Sequence, residues 1–308
     1  MQIKTFQKPS ELILEQDCVL VLGYFDGLHR GHKALFEEAR KVAEDQKLPI
    51  AVMTFNESPQ LTFSRFSPEL LLHIAYPEKR YQKFEEYGVD SLFLMDFTSQ
   101  FASLSSDDFI RDYICRLRAK VVVVGFDYKF GNDQTDSSYL EQHFNGQVIT
   151  VKEVQDEGQK ISSTRIRDLL TSGDVAEVNR LLGYSFSTRG IVVHGDARGR
   201  TIGFPTANLA TIDRTYLPSD GVYVTDVLVD GERYRAMTSL GKNVTFGGTE
   251  LRLEAHIFNF NRDLYGQTIE VIWLDKIRDM VKFEGIDGLI NQLCLDREVA
   301  LKWEKSEK

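Results

Sequence analysis

Cysteine is scarce in this chain. Cys18, Cys115 and Cys294 are the only three in 308 residues. They are far apart and odd in number, which excludes a disulfide framework and fits reduced thiols in a cytoplasmic protein. None has an obvious histidine or basic cluster beside it, so nothing marks a thiol nucleophile. Long apolar runs are also missing: no stretch approaches the roughly 18 residues that suggest a membrane span. The segment from Met1 to Leu14 has no apolar core of the kind a signal peptide carries. Basic charge is short as well. With 37 Lys and Arg against 46 Asp and Glu, the net charge of −9 argues against a general binder of nucleic acid or anionic membranes. Local basic sites for phosphates are compatible with that balance. No Gly-x-Gly-x-x-Gly and no Walker A string occurs, since Gly241-Lys242 runs into Asn243 without the upstream glycine. Standard dinucleotide and P-loop sites are therefore excluded.

What is present is an ordinary globular composition, 42% hydrophobic and 27% charged, long enough for two domains that each bury a core. One stretch organises the rest, Gly23-Tyr-Phe-Asp-Gly-Leu-His-Arg-Gly-His32. The apolar run Cys18 to Leu22 before it reads as a strand. Leu35, Ala39, Val42 and Ala43 after it recur at helical spacing. His29 and His32 thus fall in a strand-to-helix turn, with His32 in the first helical turn. Gly23, Gly27 and Gly31 let the backbone turn sharply and approach a ligand. A helix N-terminus offers unpaired N–H groups and a partial positive charge that suit phosphate. His-x-x-His at such a turn points to a transferase that stabilises a triphosphate as it breaks. Half of a metal site is an alternative, although no nearby Cys or third His completes one. Two turn histidines without chemistry is another.

Strand and helix patterns then alternate to about Leu182. Pro49–Phe55, Asp90–Met95, Lys120–Val124 and Gln147–Val151 read as strands. Pro77–Tyr87 and Ser106–Leu117 read as helices, the latter capped by Ser106 or Asp107. The continuous β-branched run at 120–124 marks a strand buried on both faces. Such alternation implies a parallel sheet wrapped by helices, its crevice at the carboxyl ends of the strands. Two loops there are candidates, Thr54 to Pro59 and Gly125 to Gly131. In the second, Asp127 and Lys129 are placed either to meet a ligand or in a solvated loop. Ile161-Ser-Ser-Thr-Arg-Ile-Arg167 follows. Ser162 to Thr164 can cap a helix bearing Ile166, Leu169 and Leu170, while Arg165 and Arg167 can grip phosphate in a bidentate fork. Gly173 ends that helix, and Asp174 with Glu177 starts another as a capping box. The domain boundary is placed near Tyr184.

Beyond residue 185 helical alternation stops. Phe186–Val193, Gly221–Val229, Arg233–Ser239, Leu251–Phe258 and Thr268–Trp273 read as strands, with Asp230-Gly231 as a hairpin signal and a closing helix at about Asp287–Trp303. This predicts a small antiparallel barrel. Within it, Gly195, Gly199 and Gly203 make a glycine-spaced loop able to fold over phosphates, or a plain turn loop. Pro205 biases Phe204 to extended chain. Thr206 and Asn208 then share a face, two neutral oxygen donors that suit a Mg²⁺ held largely by ATP phosphates and water. On the strand 251–258, Arg252, Glu254 and His256 fall on one face. Glu254 is the candidate general base, and His256 reads as a structural polar-face residue.

The string 23–32 resembles the signature of the nucleotidyltransferase superfamily, and more narrowly of the bacterial FAD synthetases. Ser163, Thr164 and Arg167 match that superfamily's Ser-Ser-Thr-x-x-Arg motif, which closes over the triphosphate. The glycine loop, Pro205-Thr-Ala-Asn208, Gly221-Val-Tyr223 and Glu254 through Gly266 resemble riboflavin kinases. The resemblance implies an α/β protein. A Rossmann-like nucleotidyltransferase domain with a parallel sheet over 1–184 would precede a riboflavin kinase barrel over 185–308. Implied substrates are riboflavin, FMN, FAD and ATP, with Mg²⁺ as cofactor. Implied catalytic residues are His29, His32, Arg167 and Glu254. Gly23, Phe25, Asp26, Gly27, Gly31, Asp127, Ser163, Thr164, Gly195, Gly199 and Gly203 would bind nucleotide, and Thr206 and Asn208 the metal. Five positions depart from those families: Tyr24, Ser58, Val244, Asn259 and Asn261.

Overall fold

In the computed structural model, which describes residues 1–196, 198–242 and 251–304, contacts divide the chain into two compact units, Met1–Ser162 and Ser163–Lys308. The first unit carries strands β1 (Gln2–Phe6), β2 (Cys18–Leu22), β3 (Ile50–Phe55), β4 (Ser91–Met95), β5 (Ala119–Gly125) and β6 (Gln147–Val151). Its helices are α1 (Arg30–Gln46), α2 (Gln60–Phe63), α3 (Pro77–Glu86), α4 (Ser99–Ala102), α5 (Ser106–Phe109) and α6 (Ser137–His143). A short hairpin, β7 (Gln155–Asp156) and β8 (Gln159–Lys160), follows.

The six long strands form one sheet in the order β1-β4-β3-β2-β5-β6, every pairing parallel. Alternation along the strands feeds two cores. Val19, Val21, Val121 and Val123 pack with Phe36 and Phe84 on one face. Leu20, Leu22, Val122 and Val124 pack with Phe109 and Tyr113 on the other. Strands buried on both faces need the near-continuous apolar runs seen here. The winding reverses between β2 and β5, so the carboxyl ends of these two strands open the ligand crevice.

Two local expectations change. The strand β1 was not anticipated: residues 2–5 are exposed or half-exposed and only Phe6 is buried, so an edge strand left no apolar pattern. The helix expected over Ser106–Leu117 is four α-helical residues followed by a π turn, Ile110–Ile114. Its cap is Ser105, whose Oγ accepts from Asp108 N at 3.2 Å. Ser106 is buried instead, with its hydroxyl on Asp133 at 2.6 Å, and so is unavailable as a cap.

The second unit opens with α7 (Ser163–Ser172) and α8 (Val175–Leu182). Asp174 caps α8, accepting from Glu177 N at 3.0 Å, while the Glu177 carboxylate takes Arg165 and Arg180. Asn179 on α8 donates to Trp273 O at 2.8 Å and accepts from Phe186 N at 2.7 Å. The helix is thereby sewn to the barrel, which is why the compact division falls upstream of Tyr184. The barrel strands are β9 (Ser187–Val193), β10 (Ala207–Thr211), β11 (Gly221–Val229), β12 (Glu232–Lys242), β13 (Leu251–Ile257) and β14 (Thr268–Arg278), with the short α9 (Arg198–Thr201) between β9 and β10. They close antiparallel in the order β10-β13-β12-β11-β14-β9. Five of the six were expected as strands, and β10 is the extended chain read around Thr206 and Asn208. Trp273 is fully buried and donates to Thr188. The closing helix α10 (Ile286–Lys302) lays Ile290, Leu293 and Ala300 against Met237, Phe258 and Leu274. Trp303, just past its end, donates to Asp275.

Candidate active sites

The turn after β2 is strained in a way that aims its histidines. Phe25, Gly27 and Leu28 all have positive φ, at 58°, 80° and 44°. At Gly27 a side chain would be strained by that φ and would meet Ile74 at 2.9 Å. Gly31 matters for space instead: a Cβ there would lie 3.1 Å from the His29 ring. At Gly23 it would strike the Phe25 ring at 2.7 Å. The ring of Phe25 is buried among Phe36, Phe84 and His32. Asp26 is buried too, its carboxylate accepting from Ile74 N at 2.9 Å. Phe25 and Asp26 therefore support the turn from inside.

His29 is the N-cap of α1, its Nδ1 accepting from His32 N at 3.2 Å. An accepting Nδ1 puts the proton of neutral imidazole on Nε2. Burial is the main cause that pushes His29 down to about 4. The His32 ring stacks on it, centroids 3.7 Å apart and planes 14° apart. Burial first, then the neighbouring His29 and Arg80, hold His32 well below the usual histidine range. Its Nδ1 is buried with no hydrogen-bond partner among the described residues. Two neutral imidazoles can each offer a proton to an anionic oxygen without carrying charge of their own.

The other candidates of this unit surround the strand ends. Asp127 follows β5 and pairs with Lys160 at 2.5 Å, whose ammonium sits 4.6 Å from the Phe126 ring. Ser58 accepts from Gln60 N at 3.3 Å. The Tyr24 hydroxyl reaches His73 at 3.4 Å, and the far nitrogen of His73 is 3.3 Å from Glu57. Sequence reasoning missed Arg80, buried on α3. Its guanidinium donates to Tyr24 O, Thr54 Oγ1 and Phe55 O at 2.7, 3.1 and 3.2 Å. A signal existed: Tyr76, Arg80, Phe84 and Tyr87 share one helical face, and an arginine on an apolar face is unusual.

In the second unit, Ser163, Thr164 and Arg167 occupy the first turns of α7, with the Arg167 guanidinium 5.7 Å from the Tyr216 ring. The barrel brings its own candidates together. β10 pairs with β13 so that Asn208 lies directly opposite Glu254. The Thr206 hydroxyl donates to the Glu254 carboxylate at 3.3 Å. His256 bonds the Pro205 carbonyl at 2.7 Å and so fixes the chain just before Thr206. Burial raises Glu254 above the usual carboxylate value, opposed by Arg252 and Thr206. Arg252 lies 3.9 Å from Glu254 and 2.8 Å from Asp196 of the glycine loop. A Cβ at Gly195 would fall 2.4 Å from the Asn208 amide, and one at Gly199 2.1 Å from Phe204 O. Gly203 has φ 83°.

These side chains line a cavity of ≈ 260 Å³. Thr206, Asn208, Arg252 and Glu254 form its polar end, and Met237, Phe283, Ile286, Leu289 and Leu293 an apolar wall. A polar end beside an apolar slot suits a flat, oily ring with a hydroxylated tail. Among the described residues no cluster of three His, Cys, Asp or Glu could hold a metal. Neutral Thr206 and Asn208 beside one carboxylate do fit a Mg²⁺ that keeps its waters. Asn259 has φ 54°, a conformation asparagine tolerates. Val244 to Phe246 lie outside the described residues.

Two family profiles match successive parts of the chain. An FAD synthetase family profile matches residues 13–165, and a riboflavin kinase profile residues 182–304. A bifunctional riboflavin kinase/FMN adenylyltransferase of Listeria monocytogenes is 38% identical, with 91% of this chain and 90% of that protein aligned. The chain belongs to the bifunctional riboflavin kinase/FMN adenylyltransferase family. Family members from Bacillus subtilis and Escherichia coli are 36% and 35% identical, over 96% and 93% of this chain and 96% and 92% of theirs. A crystal structure described as a macrolide-efflux protein from Streptococcus pneumoniae superposes with a TM-score of 0.95 at 51% identity, covering 99% of this chain and all of that one. No helix among the described residues is long and apolar enough to cross a membrane. Both catalytic modules of the riboflavin kinase/FMN adenylyltransferase family are thus present in one enzyme.

Proposed function

We propose that the enzyme phosphorylates riboflavin to FMN with ATP, then adenylylates FMN with a second ATP to give FAD and pyrophosphate. The observation that carries this reading is the barrel register, which sets Asn208 opposite Glu254 with Thr206 bonded to the same carboxylate. The kinase runs over residues 185–308 and the adenylyltransferase over 1–184.

In the kinase, Glu254 takes the proton of the ribityl 5′-hydroxyl, whose oxygen attacks the γ-phosphorus. ADP leaves with the electron pair of the broken P–O bond. A raised pKa makes Glu254 a stronger base than an exposed carboxylate. Thr206 and Asn208 hold Mg²⁺, which neutralises charge on the ATP phosphates when bound. Gly195, Gly199 and Gly203 admit those phosphates close to the backbone, and the apolar wall takes the flavin ring. Catalysis is then mostly alignment.

In the adenylyltransferase, an FMN phosphate oxygen attacks the α-phosphorus and pyrophosphate departs with the electrons of the α–β bridge. The nucleophile is already anionic, so no base is required. His29 and His32 donate hydrogen bonds to oxygens gaining charge, helped by the start of α1. Gly23, Gly27 and Gly31 keep the backbone open, and Phe25 and Asp26 fix the turn from within. Asp127 contributes to the nucleotide site from the loop after β5. Ser163, Thr164 and Arg167 supply phosphate contacts. Substrates and products are small molecules, and the compartment is the cytoplasm.

Chromatography of flavins after incubation with riboflavin, ATP and Mg²⁺, in air and under reductant, tests the reading. FMN followed by FAD is the expected result. FMN alone under both conditions would leave the first site without its assigned substrate, and no product would remove both activities.

A further inference from the structure

The charge of Arg80 is not used by any contact described so far. Its side chain is only 4% exposed, yet no carboxylate among the described residues lies within ion-pair distance. Its hydrogen bonds go to neutral oxygens: the Tyr24 carbonyl, the Thr54 hydroxyl and the Phe55 carbonyl. Nε is buried and has no hydrogen-bond partner among the described residues. The rings of Tyr24 and Phe84 lie 5.5 and 5.9 Å from the guanidinium carbon, a weaker compensation. Burying a cation without a counter-ion costs several kcal/mol even after relaxation. A fold whose interest was only to tie strand ends together would do so more cheaply with a neutral donor.

The place of the charge suggests what balances it. Tyr24 is the second residue of the signature turn, and Thr54 and Phe55 end β3. Arg80 is thus anchored at the carboxyl ends of adjacent strands, on the crevice side of the sheet. Its field also reaches His32, where it helps keep the imidazole neutral. The ligand proposed for this crevice is the triphosphate of ATP, whose β- and γ-phosphates leave as pyrophosphate.

We infer that Arg80 is the fixed counter-charge of the adenylyl-transfer site, a positioning residue whose missing anion is the polyphosphate of the substrate. It holds the Tyr24 carbonyl, and with it the turn, while its charge is neutralised only when polyphosphate binds. The inference rests on the reading of the His29–His32 turn as the triphosphate site.

The pair Arg80→Lys and Arg80→Gln separates charge from tethering. Both side chains can still donate to the Tyr24 carbonyl, and only lysine keeps the cation. The full-length variants are assayed for FAD formation from supplied FMN, with inorganic pyrophosphate as inhibitor and as stabiliser in thermal melts. Arg80→Gln should bind pyrophosphate about tenfold more weakly than Arg80→Lys, with a matching rise in KM for ATP. It should also show a smaller pyrophosphate-induced gain in melting temperature at equal pyrophosphate, although without ligand it melts no lower than Arg80→Lys. Formation of FMN from riboflavin should match the parent in both. Equal pyrophosphate affinity in the two variants would overturn the inference and leave Arg80 a tether. His32→Ala, run alongside, tests the underlying reading. If it stops FAD formation while the Arg80 pair behaves alike, only the counter-charge falls. If it leaves FAD formation intact, the triphosphate site itself is misplaced.

Discussion

At the scale of single residues, burial sets the protonation of both sites, in opposite senses for acid and base. For His29, the folded value of about 4 lies below the ordinary 6.5. The unfolded chain therefore binds the extra proton first, and stability falls as pH drops from about 6.5 towards 4. For a shift of this size the loss is roughly 3 kcal/mol, with His32 adding in the same direction. His29→Asn keeps an effective N-cap without a titrating ring. Hydrogen exchange in α1 of that variant should show a flatter pH dependence over this window than the parent. Glu254 runs the other way. Its raised value means that the basic form is reached at higher pH than the ordinary 4.5, so the acid limb of the kinase kcat/KM profile should lie above that value. Glu254→Gln should lose about 10²–10⁴-fold in FMN formation and keep conversion of supplied FMN to FAD. A Gln variant with parental kinase activity would remove Glu254 as base.

At the scale of elements, the apolar wall of the kinase cavity depends on how α10 is held. Arg278, the last residue of β14, meets Asp296 of α10 with contacts of 2.7, 3.0 and 3.1 Å, and Gln292 adds a fourth at 2.9 Å. Asp296 is 1% exposed. Leu289 and Leu293, one turn or two before it, line the cavity. Asp296→Asn keeps the volume and takes away the charge, leaving a partly buried guanidinium under-compensated. Riboflavin KM should rise several-fold, on the order of the 1–2 kcal/mol typical of a weakened charge-assisted bond. The rate at saturation should change less, and FAD formation from FMN should stay. An unchanged KM would mean that the ion pair does not set the wall. Element by element, legibility followed locality. The His-x-x-His turn was readable because strand, turn, cap and helix are consecutive. The Thr206–Glu254 constellation was readable as chemistry but not as geometry, since the register between β10 and β13 is a contact between distant segments. Arg80 sits on the apolar face of α3, which marks it as unusual, but its partner, the Tyr24 carbonyl just past β2, is a distant contact that no local period announces. The edge strand β1 and the π turn at 110–114 were missed for a related reason: one is mostly exposed, and the other keeps helical spacing while changing its hydrogen bonds.

At the scale of the whole molecule, the two proposed activities use different side chains: His29, His32 and Arg167 for adenylyl transfer, and Thr206, Asn208 and Glu254, all on the second compact unit, for the kinase. A chain carrying His32→Ala should still form FMN, and one carrying Glu254→Gln should still use it. Mixed in one vessel with riboflavin and ATP, the two variants should restore FAD through FMN released into solution. Failure of the mixture, when each variant is active on its own remaining step, would mean that FMN does not pass freely between chains.

The placement of tryptophan gives these units different optical visibility. Trp273 and Trp303 are the only two in the chain, one inside the barrel and the other at the end of the helix that closes it. Emission excited selectively at indole therefore watches the second unit and is blind to the first. Far-ultraviolet dichroism sees the helices of both. Where the two signals part on heating, the difference is the melting of the parallel sheet, read without a label.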